Sequence, residues 1–260
     1  MPEGDTVWRT ALHLDRALSG RVLLGTDFRV PAHATLDLAG QRVEETVSRG
    51  KHLLTRIGAE HTLHTHLKME GAWHLYRTGS GWRRPAHEAR VVLRTDDWTA
   101  VGFALGIVEV LPRAAEDTAV GHLGPDLLGT DWDDEEAVRR LIADPARPVA
   151  EALLDQRNLA GIGNVYKCEL CFLSGVDPRT PVGSVPGLPR LVARAHQLLV
   201  ANRDRVERIT TGDRRRGGHL WVYGRRGPCL RCGTPVSRAD LGPVGQERPT
   251  YWCPTCQPPR

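Results

Sequence analysis

Apolar positions recur at helical spacing at the start of the chain and then switch to the two-residue period of strands. Val7, Ala11, Leu14 and Leu18 fall at i, i+4, i+7 and i+11, with Asp5 and Thr6 in the first turn, which predicts a helix over residues 3–18. From about 21 to 112 short runs follow one another: Arg42–Val47, His52–Ile57, Thr62–Met69, Trp73–Tyr76 and Ala89–Leu93. Gly-rich turns separate them at regular spacing, the pattern of a sandwich or barrel. After Leu123-Gly124-Pro125-Asp126 the period becomes helical again, over Glu135–Ile142, Val149–Gln156, Asn164–Ser174 and Leu188–Thr210. A basic loop, Asp213-Arg214-Arg215-Arg216-Gly217-Gly218, then leads through an expected strand at Tyr223-Gly224-Arg225 into a cysteine-rich tail. The pattern predicts an α+β chain in three parts, 1–120, 121–218 and 219–260.

Composition narrows this only a little. A chain of 260 residues can bury a substantial core, and a formal charge of +4 is a weak pointer to an anionic partner. Lysine is scarce: Lys51, Lys68 and Lys167 stand alone among 35 basic residues. A lysine kept in such a chain hints at chemistry that arginine cannot perform. No stretch approaches a membrane span and charges run through the first thirty residues, so a cytoplasmic protein without a leader or membrane partner is expected.

The six cysteines form three CxxC pairs, which in a cytosolic protein favour metal over disulfides. Cys229-x2-Cys232 and Cys253-x2-Cys256 are separated by a glycine-containing stretch, the spacing of two knuckles holding one tetrahedral structural Zn²⁺. Cys168 and Cys171 lie inside a predicted helix, where burial is the simpler fate. His64 and His66 alternate along one strand with His61 nearby, and no acidic or thiolate partner is close in sequence, so satisfied or exposed histidines are expected rather than a metal site.

Two turns suit phosphate. Gly161-Ile162-Gly163-Asn164 opens a helix, where backbone N–H groups and the helix dipole favour an anion. Arg49-Gly50-Lys51-His52 joins two strands, and its lysine is a solvated turn charge, a phosphate contact or a proton shuttle. The opening Met1-Pro2-Glu3-Gly4 carries a further possibility. Methionine before proline is normally trimmed in the cytosol, and a free proline amine with a pKa near roughly 8 is partly neutral and nucleophilic. Attack on a sugar C1′ would give an iminium ion that labilises the 3′ phosphate.

Together these motifs identify a resemblance over essentially the whole chain to the formamidopyrimidine-DNA glycosylase/endonuclease VIII family. The carrying residues are Met1-Pro2-Glu3-Gly4, Ser48–Leu54, His122–Asp126, Leu154-Asp155-Gln156 with Gly161–Tyr166, and Glu247–Pro254. The resemblance implies an N-terminal helix with a β-sandwich, a helix-two-turn-helix domain and a C-terminal zinc β-hairpin finger, acting on damaged DNA as a monomer associated with the nucleoid. It further implies Pro2 as Schiff-base nucleophile, Glu3 as the acid/base beside it, and Lys51 at the phosphate next to the lesion. By the same resemblance Gly163, Asn164 and Arg248 grip DNA, and Met69 enters the vacated stack as an apolar wedge.

Two departures stand out. Thr6 replaces a glutamate common in the family, and Thr99–Ala104 stands where the formamidopyrimidine branch carries an Arg-Arg-Phe wedge. The expected activity is a bifunctional glycosylase/AP lyase of the endonuclease VIII branch, favouring oxidised pyrimidines and ending in β,δ-elimination. The alternatives are a non-catalytic damage- or structure-specific DNA-binding protein on the same scaffold and an 8-oxoguanine/formamidopyrimidine-specific glycosylase.

Overall fold

The computed structural model describes residues 2–215 and 217–259; Met1, whose removal is expected, and Arg216 of the basic loop lie outside the described residues, with Arg260. The chain divides into two compact units, 1–122 and 123–260.

The first unit opens with α1 (Gly4–Leu18), whose Val7, Ala11, Leu14, Ala17 and Leu18 are buried along one face, as the apolar spacing requires. Eight strands follow: β1 (Gly25–Phe28), β2 (Val43–Arg49), β3 (His52–Ile57), β4 (His61–His66), β5 (Ala72–Arg77), β6 (Ala89–Arg94), β7 (Trp98–Phe103) and β8 (Ile107–Pro112). They make two antiparallel sheets, in the orders β1-β6-β7-β5 and β2-β3-β4-β8. The main core joins α1 to both sheets through Leu14, Leu18, Leu53, Ile57, Leu63, Val91, Leu93 and Ala100. A second cluster, Tyr76, Ala89, Val92, Val101 and Phe103, packs separately. The register shift between Ala89 and Val91 explains why Ala89 joins Val92 there, although alternation alone would put it with Val91.

Beyond α2 (Asp117–Val120), the second unit contains α3 (Asp134–Ile142), α4 (Val149–Leu154), α5 (Asn164–Ser174), α6 (Leu188–Asn202), and the hairpin β9 (Ser237–Leu241) and β10 (Arg248–Trp252). Its core is built from Leu141, Leu153, Ile162, Tyr166, Leu170, Leu191 and Leu199. None of the described helices is long and apolar enough to cross a membrane.

Several expectations need correction. Helix α6 stops at Asn202, eight residues short of Thr210. The Asn202 side chain is the cause: its Oδ1 accepts from the Ile209 amide at 2.7 Å and its Nδ2 donates to the Ile209 carbonyl at 3.1 Å, folding the following segment back. Tyr223-Gly224-Arg225 is a turn rather than a strand. Residues 67–69 leave β4 to form a turn, because Lys68 takes a left-handed backbone at φ 52°. Strands β1, β7 and β8 lie outside the expected runs.

Candidate functional site

In the first unit the expected residues gather at one end of the sandwich. Register pairs set Arg49 against His52, His52 against His66, and His66 against Ile107, so one row crosses the sheet. Just beyond that row lies the two-residue turn Gly50-Lys51, with Gly50 at φ 56° as such a turn requires. The connection carrying Met69 leaves from the same row, between β4 and β5. Gly71 closes it: a Cβ there would meet the Leu67 carbonyl at 2.4 Å. Met69 itself is 66% exposed, a large apolar side chain held out in solvent. The neighbouring β7–β8 connection is only Ala104–Gly106, and the Lys68 side chain lies over Gly106.

Helix α1 starts at this end and runs away from it. Asp15 Oδ1 accepts from the Thr46 amide at 2.8 Å, and the Gly20 amide donates to the Val43 carbonyl at 2.8 Å. The helix is therefore antiparallel to β2, with Pro2 and Glu3 directed to the end where Gly50 and Lys51 turn. Glu3 and Asp5 are buried, and Pro2 is half-buried. Thr6, at the departing position, bonds Asp5: its amide donates to Oδ1 at 2.7 Å.

Histidines form part of this end that the motifs did not reveal. The His52 and His64 rings stack at 5.0 Å, His66 meets His52 edge-on at 5.0 Å, and His122 lies 6.2 Å from His52. Nitrogen Nδ1 of His52 is 2.8 Å from Nε2 of His64, whose Nδ1 is 3.0 Å from a Glu109 carboxylate oxygen. An acidic partner thus exists, supplied across the β4–β8 register where sequence proximity could not show it. Burial, reinforced by His66, His64, His122 and Lys68, lowers the His52 pKa to about 3. Burial with Lys68, Lys51 and His64 lowers that of His66 to about 4, and its Nδ1 accepts from the Lys68 amide at 2.9 Å. Both rings are neutral at pH 7. The signal available in the sequence was the alternation of His64 and His66 beside a histidine following Lys51.

In the second unit a glutamine shapes the Gly161-Ile162-Gly163 turn. Gln156 Oε1 accepts from the Gly161 amide at 3.0 Å, while its Nε2 donates to the Leu154 and Ile162 carbonyls at 2.8 and 3.0 Å. Gly163 is the N-cap of α5, and Asn164 begins that helix. Asn164 is 3% exposed; its Nδ2 donates to the Pro249 carbonyl at 2.7 Å, and its Oδ1 is buried without a hydrogen-bond partner among the described residues. Arg248, the first residue of β10, is therefore brought beside the start of α5. Its guanidinium is exposed and reaches only the Glu247 carbonyl, at 3.4 Å, among the described residues.

The four tail cysteines converge. One sulfur from each of Cys229, Cys232, Cys253 and Cys256 lies within 4.8 Å of the others, so the set could hold a metal ion. Amides of Arg231 and Cys256 donate to the Cys229 and Cys253 sulfurs at 3.4 and 3.5 Å, which suits thiolates. Cys168 and Cys171 are fully buried in α5, and burial pushes the Cys171 thiol far up, so it stays protonated.

Comparison with known proteins agrees with this layout. Residues 1–104 match the model of the formamidopyrimidine-DNA glycosylase N-terminal domain, and residues 123–199 match that of its H2TH domain. The chain is similar to the probable endonuclease 8 2 of Streptomyces coelicolor, at 59% identity over 99% of this chain and 94% of that protein. It is also similar to the DNA-(apurinic or apyrimidinic site) lyase Nei2 of Mycolicibacterium smegmatis, at 53% identity over 99% of each. Lactococcus lactis Fpg, solved with abasic-site DNA, shares the fold at 20% identity, with a TM-score of 0.81 over 98% of this chain and 99% of that one. With both domain models matched in order and relatives above 50% identity along its length, this chain belongs to the formamidopyrimidine-DNA glycosylase family.

Proposed function

We propose that this protein is a bifunctional DNA glycosylase and abasic-site lyase that releases oxidised bases, pyrimidines preferentially, as a monomer acting on DNA of the nucleoid. The observation that carries the reading is the gathering of the N-terminus of α1 and the Lys51 turn at one end of the sandwich, in a family whose relatives are named endonuclease 8 and abasic-site lyase. Pro2 attacks C1′ and the damaged base departs; the resulting iminium withdraws electrons from the sugar. Loss of the 3′ and then the 5′ phosphate leaves a one-nucleotide gap with phosphates at both ends. Glu3 exchanges protons beside the amine, Lys51 contacts the adjacent phosphate, and Met69 fills the space left by the flipped nucleotide.

Gly163, Asn164 and Arg248 hold flanking phosphates. The Asn164 amide has two N–H donors, one engaged by Pro249 and one left for an anion. The cysteine set fits one Zn²⁺, since Zn–S bonds of about 2.3 Å place tetrahedral sulfurs about 3.8 Å apart. Zinc would be held by Cys229, Cys232, Cys253 and Cys256 and would fix the hairpin bearing Arg248.

Borohydride trapping tests the nucleophile. The native chain should give a covalent protein–DNA adduct with an abasic-site duplex, and Pro2→Gly or a permanent N-terminal tag should abolish it while DNA affinity stays within a few fold. Undiminished trapping with the terminus blocked would remove Pro2 from this role.

A further inference from the structure

Lys167 is one of three lysines in the chain and is 1% exposed, inside α5 one turn beyond Asn164. Burying an ammonium is expensive unless it is well bonded. Its Nζ donates to Thr250 Oγ1 at 2.7 Å, and Thr250 Oγ1 lies 3.0 Å from the Arg248 carbonyl, which it serves as donor. The direction of this chain is fixed by chemistry. A carbonyl only accepts, so the threonine gives its single proton to Arg248 and its oxygen accepts from Nζ.

This segment needs such support. Pro249 and Tyr251 turn their backbone polar groups away from β9 and toward α5, so the ladder with β9 does not bond them. Side chains of α5 hold it instead: Asn164 on the Pro249 carbonyl, Lys167 through Thr250 on the Arg248 carbonyl, and the Cys168 sulfur on the Tyr251 amide at 3.4 Å. Thr250 is fully buried, while Arg248 extends its guanidinium into solvent. The backbone of Arg248 is held firmly and its charge is left for a ligand.

We infer that Lys167 is a positioning residue: through the Thr250 hydroxyl it sets the backbone from which Arg248 meets DNA phosphate. The inference rests on the reading of Arg248 as a phosphate contact.

The test measures zinc content, affinity for a duplex with a tetrahydrofuran abasic-site analogue, and the salt slope of binding in Lys167→Met, Thr250→Val, Thr250→Ser, Arg248→Ala and the Lys167→Met/Arg248→Ala double variant. Lys167→Met and Thr250→Val should each keep zinc, bind about tenfold more weakly, and lose about one from the log–log salt slope, as Arg248→Ala does. Thr250→Ser, which keeps the hydroxyl, should bind like the native protein. The double variant should bind no more weakly than Arg248→Ala alone, because the lysine acts through the arginine. Thr250→Val carries the test if Lys167→Met does not fold. Native-like affinity in Lys167→Met or Thr250→Val, additive losses in the double variant, or loss of zinc in either single variant would overturn the inference while leaving the Arg248 reading intact. Native-like binding by Arg248→Ala would instead remove that reading and the inference with it.

Discussion

Asn164 Nδ2 donates to the carbonyl of Pro249 across 85 positions of sequence, at 2.7 Å. This one bond ties the helix start that suits an anion to the hairpin that carries Arg248. Asn164→Ala should cost about 0.5–1.5 kcal/mol of stability, the usual net value of such a bond. Asn164→Asp should do worse: it sets a carboxylate against a carbonyl and puts negative charge where phosphate is to bind. DNA affinity should fall at least about tenfold further than in the alanine variant. Thermal unfolding and fluorescence anisotropy measure both, and equal affinity of the two variants would contradict the proposed phosphate site.

A hairpin of two strands is marginal without a partner, so the cysteine cluster should govern the order of the tail. About one zinc per chain is expected. Cys253→Ser should lose it and release the hairpin amides to rapid hydrogen exchange, with protection across residues 43–112 unchanged. A Cys168→Ser/Cys171→Ser variant should keep its zinc, since those sulfurs lie within α5 and outside the cluster. Elemental analysis decides, and the reverse pattern would reassign the ligands.

How far the sequence reveals this molecule depends on how local each cause is. The buried stripe of α1 and the paired cysteines depend on spacing along the chain, and both are legible. β7 is buried at every position from Thr99 to Phe103, so it shows no inside–outside alternation to mark it as a strand. The end of α6 is set by Asn202 folding Ile209 back, which looks in sequence like one more polar helix position. Glu109 reaches His64 only through strand register, 45 positions away. Lys167 stands out in sequence by its rarity, but its link to Thr250 needed the packing of α5 on β10. Family motifs supply roles for Pro2, Lys51 and Arg248 that no spacing rule would assign.

The histidine cluster predicts a pH effect on stability. His52 and His66 titrate near 6.5 when unfolded but at about 3 and about 4 when folded, with His64, His122, Lys51, Lys68 and Glu109 around them. Between those values and 6.5 the unfolded chain binds more protons, so stability rises with pH across that window and is lost as pH falls below about 6.5. Above it these two residues contribute no slope. A His52→Gln/His66→Asn variant removes both titrations, and the amide oxygen introduced by His66→Asn can still accept from the Lys68 amide. The drop in melting temperature between pH 7 and pH 5 should be smaller in that variant. An identical drop would place the acid sensitivity elsewhere.

The last prediction concerns the choice of base. In a family that can cover a purine with a long loop, the described part of the corresponding segment here is short and pinned. The Thr210 and Thr211 amides both point at the His219 carbonyl, at 2.8 and 3.3 Å, and Thr211 Oγ1 donates to the Gly218 carbonyl at 2.6 Å. Arg225 holds the Gly217 carbonyl at 3.0 Å. Buried Glu169 accepts from the Trp221, Val222 and Tyr223 amides at 2.8, 2.9 and 2.9 Å and from the Thr210 hydroxyl, so the base of the loop is anchored on α5 from both sides. A loop tied at both ends offers few groups to read a purine edge. Smaller, non-planar bases that stack poorly also cost less to flip. Thymine glycol, 5-hydroxyuracil and abasic sites should therefore be processed at least about tenfold faster than 8-oxoguanine opposite cytosine in single-turnover assays on matched duplexes, a difference of roughly 1.4 kcal/mol in activation free energy. A faster rate on 8-oxoguanine would mean that purine recognition does not depend on a long covering loop, and would move this protein to the other branch of its family.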